Sequence, residues 1–178
     1  MAERIIKHKW FWAWQDEKEE QWLEDMSEGG YHLVSPGFFG RYEFQKGQPQ
    51  RVIYRLDYLA QNQNQEDYKQ LFADAGWEHI GKFGGWQYFR KPAENQGESE
   101  IFTDVSSKIE KYRRVLIILV ILTPIYLLPL NMQTILGRDP HWLMNTIFIF
   151  WSFILCIMSF SVIKLIQRIK ALKNTLKQ

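Results

Sequence analysis

The sequence predicts an α+β fold: a tandem βαββ repeat with an antiparallel sheet and two helices on one face, followed by an all-α two-helix transmembrane hairpin. Three observations carry that prediction. Charge is divided along the chain: up to Asp104 there are 12 Lys and Arg against 18 Asp and Glu, net −6, and from Val105 onward 10 against 2, net +8. The basic region holds two uncharged apolar runs, and the acidic region partly matches itself, without a gap, when shifted by 46 positions. The expected organisation is a cytoplasmic duplicated domain over residues 1–91, a linker over 92–107, and the hairpin with a basic amphipathic tail over 108–178.

In the 46-residue shift, Trp22 falls on Tyr68, Met26 on Phe72, Gly30 on Gly76, Tyr31 on Trp77, Val34 on Ile80 and Tyr42 on Tyr88. Each copy reads strand, helix, strand, strand. In the first, Ile5 to Trp14 alternates as a strand, Asp16 with Glu19 offers a helix start, and Gly29-Gly30 a stop. Trp22, Leu23 and Met26 mark that helix's buried stripe, and "YHLVS" and "GRYEFQK" follow as strands around Pro36-Gly37. In the second copy "RVIYRLDYL" is the strand, and Tyr68, Leu71, Phe72 and Ala75 form the helix stripe. "WEHIGK" and "WQYFRK" then pair across Gly84-Gly85.

Alternation along the first strand places Trp10, Trp12 and Trp14 on one face and Lys7, Lys9, Phe11 and Ala13 on the other. In the second copy Leu56 and Tyr58 take the tryptophan parity. The tryptophans are therefore expected to face the helices as core, with Trp10, Trp12, Tyr58 and Asp57 the candidate lining of a small ligand pocket. Arg55 and Asp57 share a strand face and are expected to pair with each other or with a neighbour. The carboxylates Asp16, Glu17, Glu19, Glu20 and Glu24 read as a solvated helix face.

Val115 to Leu136 and Trp142 to Ile163 (115–136 and 142–163) carry no charge, and each is close to the about 20 residues a helix needs to cross a bilayer. Pro124 and Pro129 predict a kink in the first. Lys108, Lys111, Arg113 and Arg114 precede the first span, and Lys164, Arg168, Lys170, Lys173 and Lys177 follow the second. The connecting "GRDPH" has one arginine beside one aspartate. The positive-inside rule then places both termini in the cytoplasm and only this loop outside. Ser107 and Glu110 fit a capping box, so the first helix is expected to begin in the cytoplasm. Leu165, Ile169, Leu172 and Leu176 recur at helical spacing among the basic residues, a tail suited to an anionic leaflet or a partner helix. Ser152, Cys156 and Ser159 lie on one face of the second span and are candidate helix-packing positions.

Chemistry is sparse. A single cysteine excludes an intramolecular disulfide, and the first ten residues hold no apolar run of signal-peptide length. His8, His32, His79 and His141 are scattered, "GKFGGW" lacks a phosphate-loop ending, and no nucleophile elbow occurs. No catalytic, cofactor-binding or metal residues are therefore expected, and no cofactor. The acidic balance of the domain argues against nucleic acid as a partner.

Four segments, "WFWAWQDEKEEQWLEDMSEGGYHLVS", "YEFQKGQPQRVIYRLDY", "YKQLFADAGWEHIGKFGGWQYFRK" and "IFTD", resemble the bacterial domain of unknown function 2812 family over roughly Lys7 to Asp104. The resemblance implies a domain placed before membrane helices. It also implies a genomic setting beside PadR-type transcriptional regulators, hence stress- or drug-responsive expression. It carries no catalytic residues.

The expected function is a non-enzymatic, membrane-anchored binding or regulatory module at the inner face of a bacterial cell membrane. Its expected partners are the lipid bilayer and a protein in the membrane or cytoplasm, and a homo-oligomer is compatible with the pattern. Two alternatives stand beside it. One is an accessory subunit of a transporter for envelope-active compounds, in contact through Ser152, Cys156 and Ser159. The other is an enzyme acting near the inner leaflet, with its polar cluster around Asp57.

Overall fold

The computed structural model describes residues 3–59, 65–93, 105–136 and 142–175. They fall into two compact units, Met1–Lys111 and Tyr112–Gln178. Most of the expected linker, the expected outer loop at 137–141 and the end of the expected basic tail at 176–178 lie outside the described residues.

The first unit is α+β. In chain order it contains β1 (Arg4–His8), α1 (Asp16–Glu28), β2 (Tyr31–Pro36), a 3-10 turn (Phe38–Gly40), β3 (Arg41–Lys46), β4 (Val52–Tyr58), α2 (Gln65–Asp74), β5 (Glu78–Phe83) and β6 (Trp86–Pro92). Strand, helix, strand, strand thus occurs twice. Each half closes its own three-stranded antiparallel sheet, ordered β1-β3-β2 in the first and β4-β6-β5 in the second. The register of β2 shifts between Leu33 and Ser35, and that of β5 between His79 and Gly81. The residues passed over, Val34 and Ile80, are one of the pairs in the 46-residue shift.

Two separate sheets replace the single sheet expected from sequence, and the two helices do not share a face. Leu23 of α1 packs in one cluster with Leu33, Tyr42 and Phe44 of the first sheet and Val52, Tyr54, Leu56 and Tyr88 of the second. Tyr68 and Phe72 of α2 pack with Trp77, Ile53 and Phe89 in another. Successive strand residues point to opposite faces, so the alternation of Ile53 with Val52 and Tyr54 puts α2 and α1 on opposite sides of the second sheet. The physical reason is coverage. Helix α1 supplies apolar residues to both sheets at once, and the outer face of the second sheet needs α2 to be buried.

Helix α1 ends as the sequence implies: Gly30 takes the left-handed conformation (φ 82°), and its N–H returns to the Ser27 carbonyl at 3.0 Å. It starts one residue earlier than a capping Asp16 would allow. Gln15 is the cap residue, and Asp16 is the first helical one.

Helix α3 (Val105–Leu136) begins in the first unit and continues into the second; α4 (Trp142–Thr175) lies wholly in the second. Ser107 is inside α3, past its first residue, so the expected cap position is not used. Helical backbone runs without interruption through Pro124 and Pro129. Within the second unit the Arg168 guanidinium lies 5.9 Å from the Tyr112 ring centre. Among the described residues one helix is long and apolar enough to cross a membrane, over Ile149–Asn174.

Candidate functional site

The aromatic stretch that follows β1 is not strand. The ladder between β1 and β3 ends at the pair His8 and Arg41, and Gly40, at φ 66°, takes the Lys9 N–H on its carbonyl at 2.8 Å. The chain then turns into α1. The Trp12 N–H donates to Gln15 Oε1 at 3.1 Å, and the Gln15 N–H donates to the Trp12 carbonyl at 2.8 Å.

This reverses the parity expected from sequence. Phe11 packs inward, 5.6 Å from Trp22 and 6.5 Å from Tyr42, whereas Trp10 is 59% and Trp12 37% exposed. Trp12 stacks on Trp14 at 5.3 Å with planes 6° apart. Alternation governs side-chain direction only while the ladder persists, and here it stops two residues before Trp10.

Trp10 and Trp12 instead rim a cavity of about 180 Å³. Its walls include Trp10, Phe11, Trp12, Tyr42, Trp86 and Tyr88, and α1 contributes Asp16 and Glu19. Glu19 is 93% buried, being 7% exposed. The Tyr42 and Tyr88 hydroxyls both donate to its Oε1 at 2.7 Å. Burial holds the Glu19 carboxyl above its ordinary range, while the two phenol hydrogen bonds act the other way. Burial and the neighbouring carboxylate keep the Tyr88 hydroxyl well above the usual phenol range, so it stays a donor. Asp16, 2% exposed, pairs with Lys111 Nζ at 2.5 Å.

Of the sequence candidates, Trp10 and Trp12 meet at the rim, 5.9 Å apart and edge to face. Tyr58 stands behind the wall, its ring 5.4 Å from Trp86. Asp57 is elsewhere: it is 2% exposed, takes the Tyr68 hydroxyl on Oδ2 at 2.6 Å and the Tyr58 N–H on Oδ1 at 2.7 Å. Its strand neighbour Arg55 turns to α1 and pairs with Glu24 at 2.8 Å and Glu20 at 3.8 Å.

The solvated acidic face expected on α1 is thus largely buried, because its carboxylates meet phenols, cations and strand amides from distant parts of the chain. Sequence reasoning missed Glu19, Tyr42 and Tyr88 as site residues. One signal was present: Tyr42 and Tyr88 are partners in the 46-residue shift, and both converge on one carboxylate.

A second, polar hollow of about 200 Å³ lies beside the first, lined by Glu17, Glu20, Gln21, Glu24, Arg55, Leu56, Lys108 and Lys111. Burial pushes the Glu20 carboxyl up to about 8, although Lys111, the Leu56 N–H and Arg55 favour its charged form. A third cleft of about 530 Å³ runs between β2 and β5 past His32, Glu78, His79 and Arg90. Both His32 ring nitrogens are engaged there, by the Ser27 hydroxyl at 2.8 Å and the Gln48 carbonyl at 2.9 Å. Among the described residues no group of three or more His, Cys, Asp or Glu is placed to hold a metal ion.

In the second unit, Ser152, Cys156 and Ser159 are all exposed along α4. Their spacing puts them on one helical face.

A family model described as "Protein of unknown function (DUF2812)" matches residues 15–123, which span α1, β2 to β6, α2 and the start of α3. No curated protein and no solved structure matches the chain.

Proposed function

The chain belongs to the DUF2812 family of proteins of unknown function, and from that premise we propose that it is a membrane-anchored binding module. The α+β domain is the binding element, and the apolar helices hold it at the inner face of a cell membrane as a two-pass hairpin with both termini cytoplasmic. The observation that carries this reading is the cavity rimmed by Trp10 and Trp12 with Glu19 in its wall. Exposed tryptophans beside a buried carboxylate are costly to keep in a domain whose core is already filled by Leu23, Phe44 and Tyr54. Ligand sites of this kind join apolar walls to a few placed polar groups.

The test is purification of the full chain from native membranes in mild detergent, with bound small molecules identified by native mass spectrometry. The comparison is Ala13→Phe, which fills the cavity from a lining position. Small molecules retained by the wild type and lost from Ala13→Phe support the reading. Identical small-molecule content in both sinks it.

A second reading, an accessory subunit of a membrane transporter, draws on the exposure of Ser152, Cys156 and Ser159 along one face of α4. Leucine at all three positions is expected to abolish assembly while leaving the α+β domain folded. Unchanged assembly removes this reading.

A further inference from the structure

Three acids of α1 are buried, Asp16, Glu19 and Glu20, and two of them meet a cation. Asp16 meets Lys111, and Glu20 and Glu24 share Arg55. Glu19 has no cationic partner among the described residues; its only hydrogen bonds there come from two neutral phenols, and both go to Oε1. Its Oε2 has no donor among the described residues, although the side chain is more than nine-tenths buried and lines the cavity. A buried carboxylate without a cation is costly.

The surrounding walls are aromatic, and ring faces attract cations through their quadrupole, most strongly when water is excluded. The same cluster already displays this preference. Lys9 Nζ lies 4.9 Å from the Trp22 ring centre and 5.2 Å from that of Phe11. Phe11 also lines the cavity. A volume of about 180 Å³ equals about six waters at ~30 Å³ each, which is room for a compact headgroup and not for an extended chain.

We propose that this cavity binds a compact organic monocation of the quaternary or tertiary ammonium class, with Glu19 as its countercharge and Trp10, Trp12 and Phe11 as its cation–π walls. The proposal rests on the binding-module reading above and specifies its ligand. The ammonium group reaches the domain either as a free compound or as a phospholipid headgroup, and both present the same chemistry to Glu19.

The experiment is calorimetric titration of the full chain in phosphatidylglycerol nanodiscs with benzyltrimethylammonium and with its neutral carbon isostere, neopentylbenzene. The expected result is at least tenfold tighter binding of the cation, a preference that Glu19→Gln removes. Equal binding of the two probes overturns the cation assignment and leaves the pocket reading standing. Binding of neither overturns both. Should Glu19→Gln not fold, Trp12→Ala, at an exposed rim position, replaces it: undiminished cation binding in that variant counts against the cation–π walls and overturns the proposal. Repeating the titration in phosphatidylcholine nanodiscs separates the sources. Suppressed binding of the soluble cation identifies the headgroup as the natural occupant, and unchanged binding identifies a free compound; either supports the chemistry.

Discussion

The Leu56 N–H donates to Glu20 Oε1 at 2.8 Å, and one helical turn further along α1 the Tyr54 N–H donates to Glu24 Oε1 at 3.2 Å. The two acids are four residues apart on a helix, about 6 Å at 1.5 Å per residue, and the two amides are two residues apart on a strand, about 6.6 Å. The near match lets one helix face present acceptors to the open edge of β4, as a fourth strand's carbonyls would. Lys111 Nζ donates to the Leu56 carbonyl at 3.2 Å, so the Leu56 peptide is engaged on both of its polar groups. An edge strand left open is a template for unwanted pairing, and here carboxylates close it.

Removing one acid should open one amide. Glu24→Ala leaves the Tyr54 N–H without its acceptor and takes from Arg55 the nearer of its two carboxylates, and is expected to cost about 2 kcal/mol, the scale for an orphaned buried polar group. Hydrogen exchange with residue resolution checks the mechanism. The Tyr54 amide should exchange faster, and the Leu56 amide, still held by Glu20, should not. Equal acceleration at both would mean that α1 does not act on the edge residue by residue.

The Glu20 carboxyl is raised from an ordinary 4.5 to about 8, chiefly by burial, so folding takes up a proton at this site. A raised acid contributes stability that is fully present below the unfolded value and is lost as pH climbs through the folded one. The window is therefore pH 4.5 to 8, with a slope of up to about 1.4 kcal/mol per pH unit. Glu20→Gln keeps an acceptor for the Leu56 N–H and removes the titration. Urea unfolding followed by near-ultraviolet circular dichroism should show the variant gaining on the wild type as pH rises across that window. Parallel curves would show that Glu20 titrates as an ordinary surface acid.

How much of this was legible follows from where each determinant sits in the chain. The start of α1 near Asp16 and its stop at Gly29-Gly30, the Leu23 stripe, and the turn at Gly84-Gly85 between β5 and β6 are local patterns, and all four are present. The start of α4 at Trp142 also follows from a local apolar boundary. The cavity is not local. Tyr42 and Tyr88 stand 23 and 69 positions from Glu19, and nothing within the α1 sequence distinguishes Glu19, which is buried, from Glu17, which is exposed. The parity of Trp10 and Trp12 depended on where the β1 ladder stops. At that point the partner is Gly40, in the turn before β3, where a Cβ would collide with the Lys9 carbonyl.

Phe39 is the one non-glycine residue with positive φ among the described residues, at φ 53° and ψ 41°, and it is 83% exposed. Left-handed backbone costs an L residue roughly 1–2 kcal/mol, and asparagine bears it best after glycine. Since Phe39 gives up little burial, Phe39→Asn is expected to stabilise the domain by about 1 kcal/mol in urea unfolding. A loss of stability would show that the Phe39 ring, 6.5 Å from Phe38, contributes more packing than its exposure implies.

Glu19 gives the binding prediction its pH dependence. Burial raises its carboxyl, and Asp16 nearby raises it further, while Tyr42 and Tyr88 work the other way by donating to it. The other charged group lining the cavity, Asp16, is paired with Lys111, and both phenols stay protonated because burial and Glu19 raise them. A proton and an organic cation therefore compete for one carboxylate. Affinity for benzyltrimethylammonium should fall as pH drops through the raised Glu19 value and level off above it, whereas neopentylbenzene should bind equally at every pH. Tyr88→Phe removes one of the hydrogen bonds that favour the charged form, so it should move the fall to higher pH. Titrations at pH 5, 6, 7 and 8 for the wild type and Tyr88→Phe check this. A cation affinity that does not vary with pH in either protein would mean that the countercharge is not Glu19.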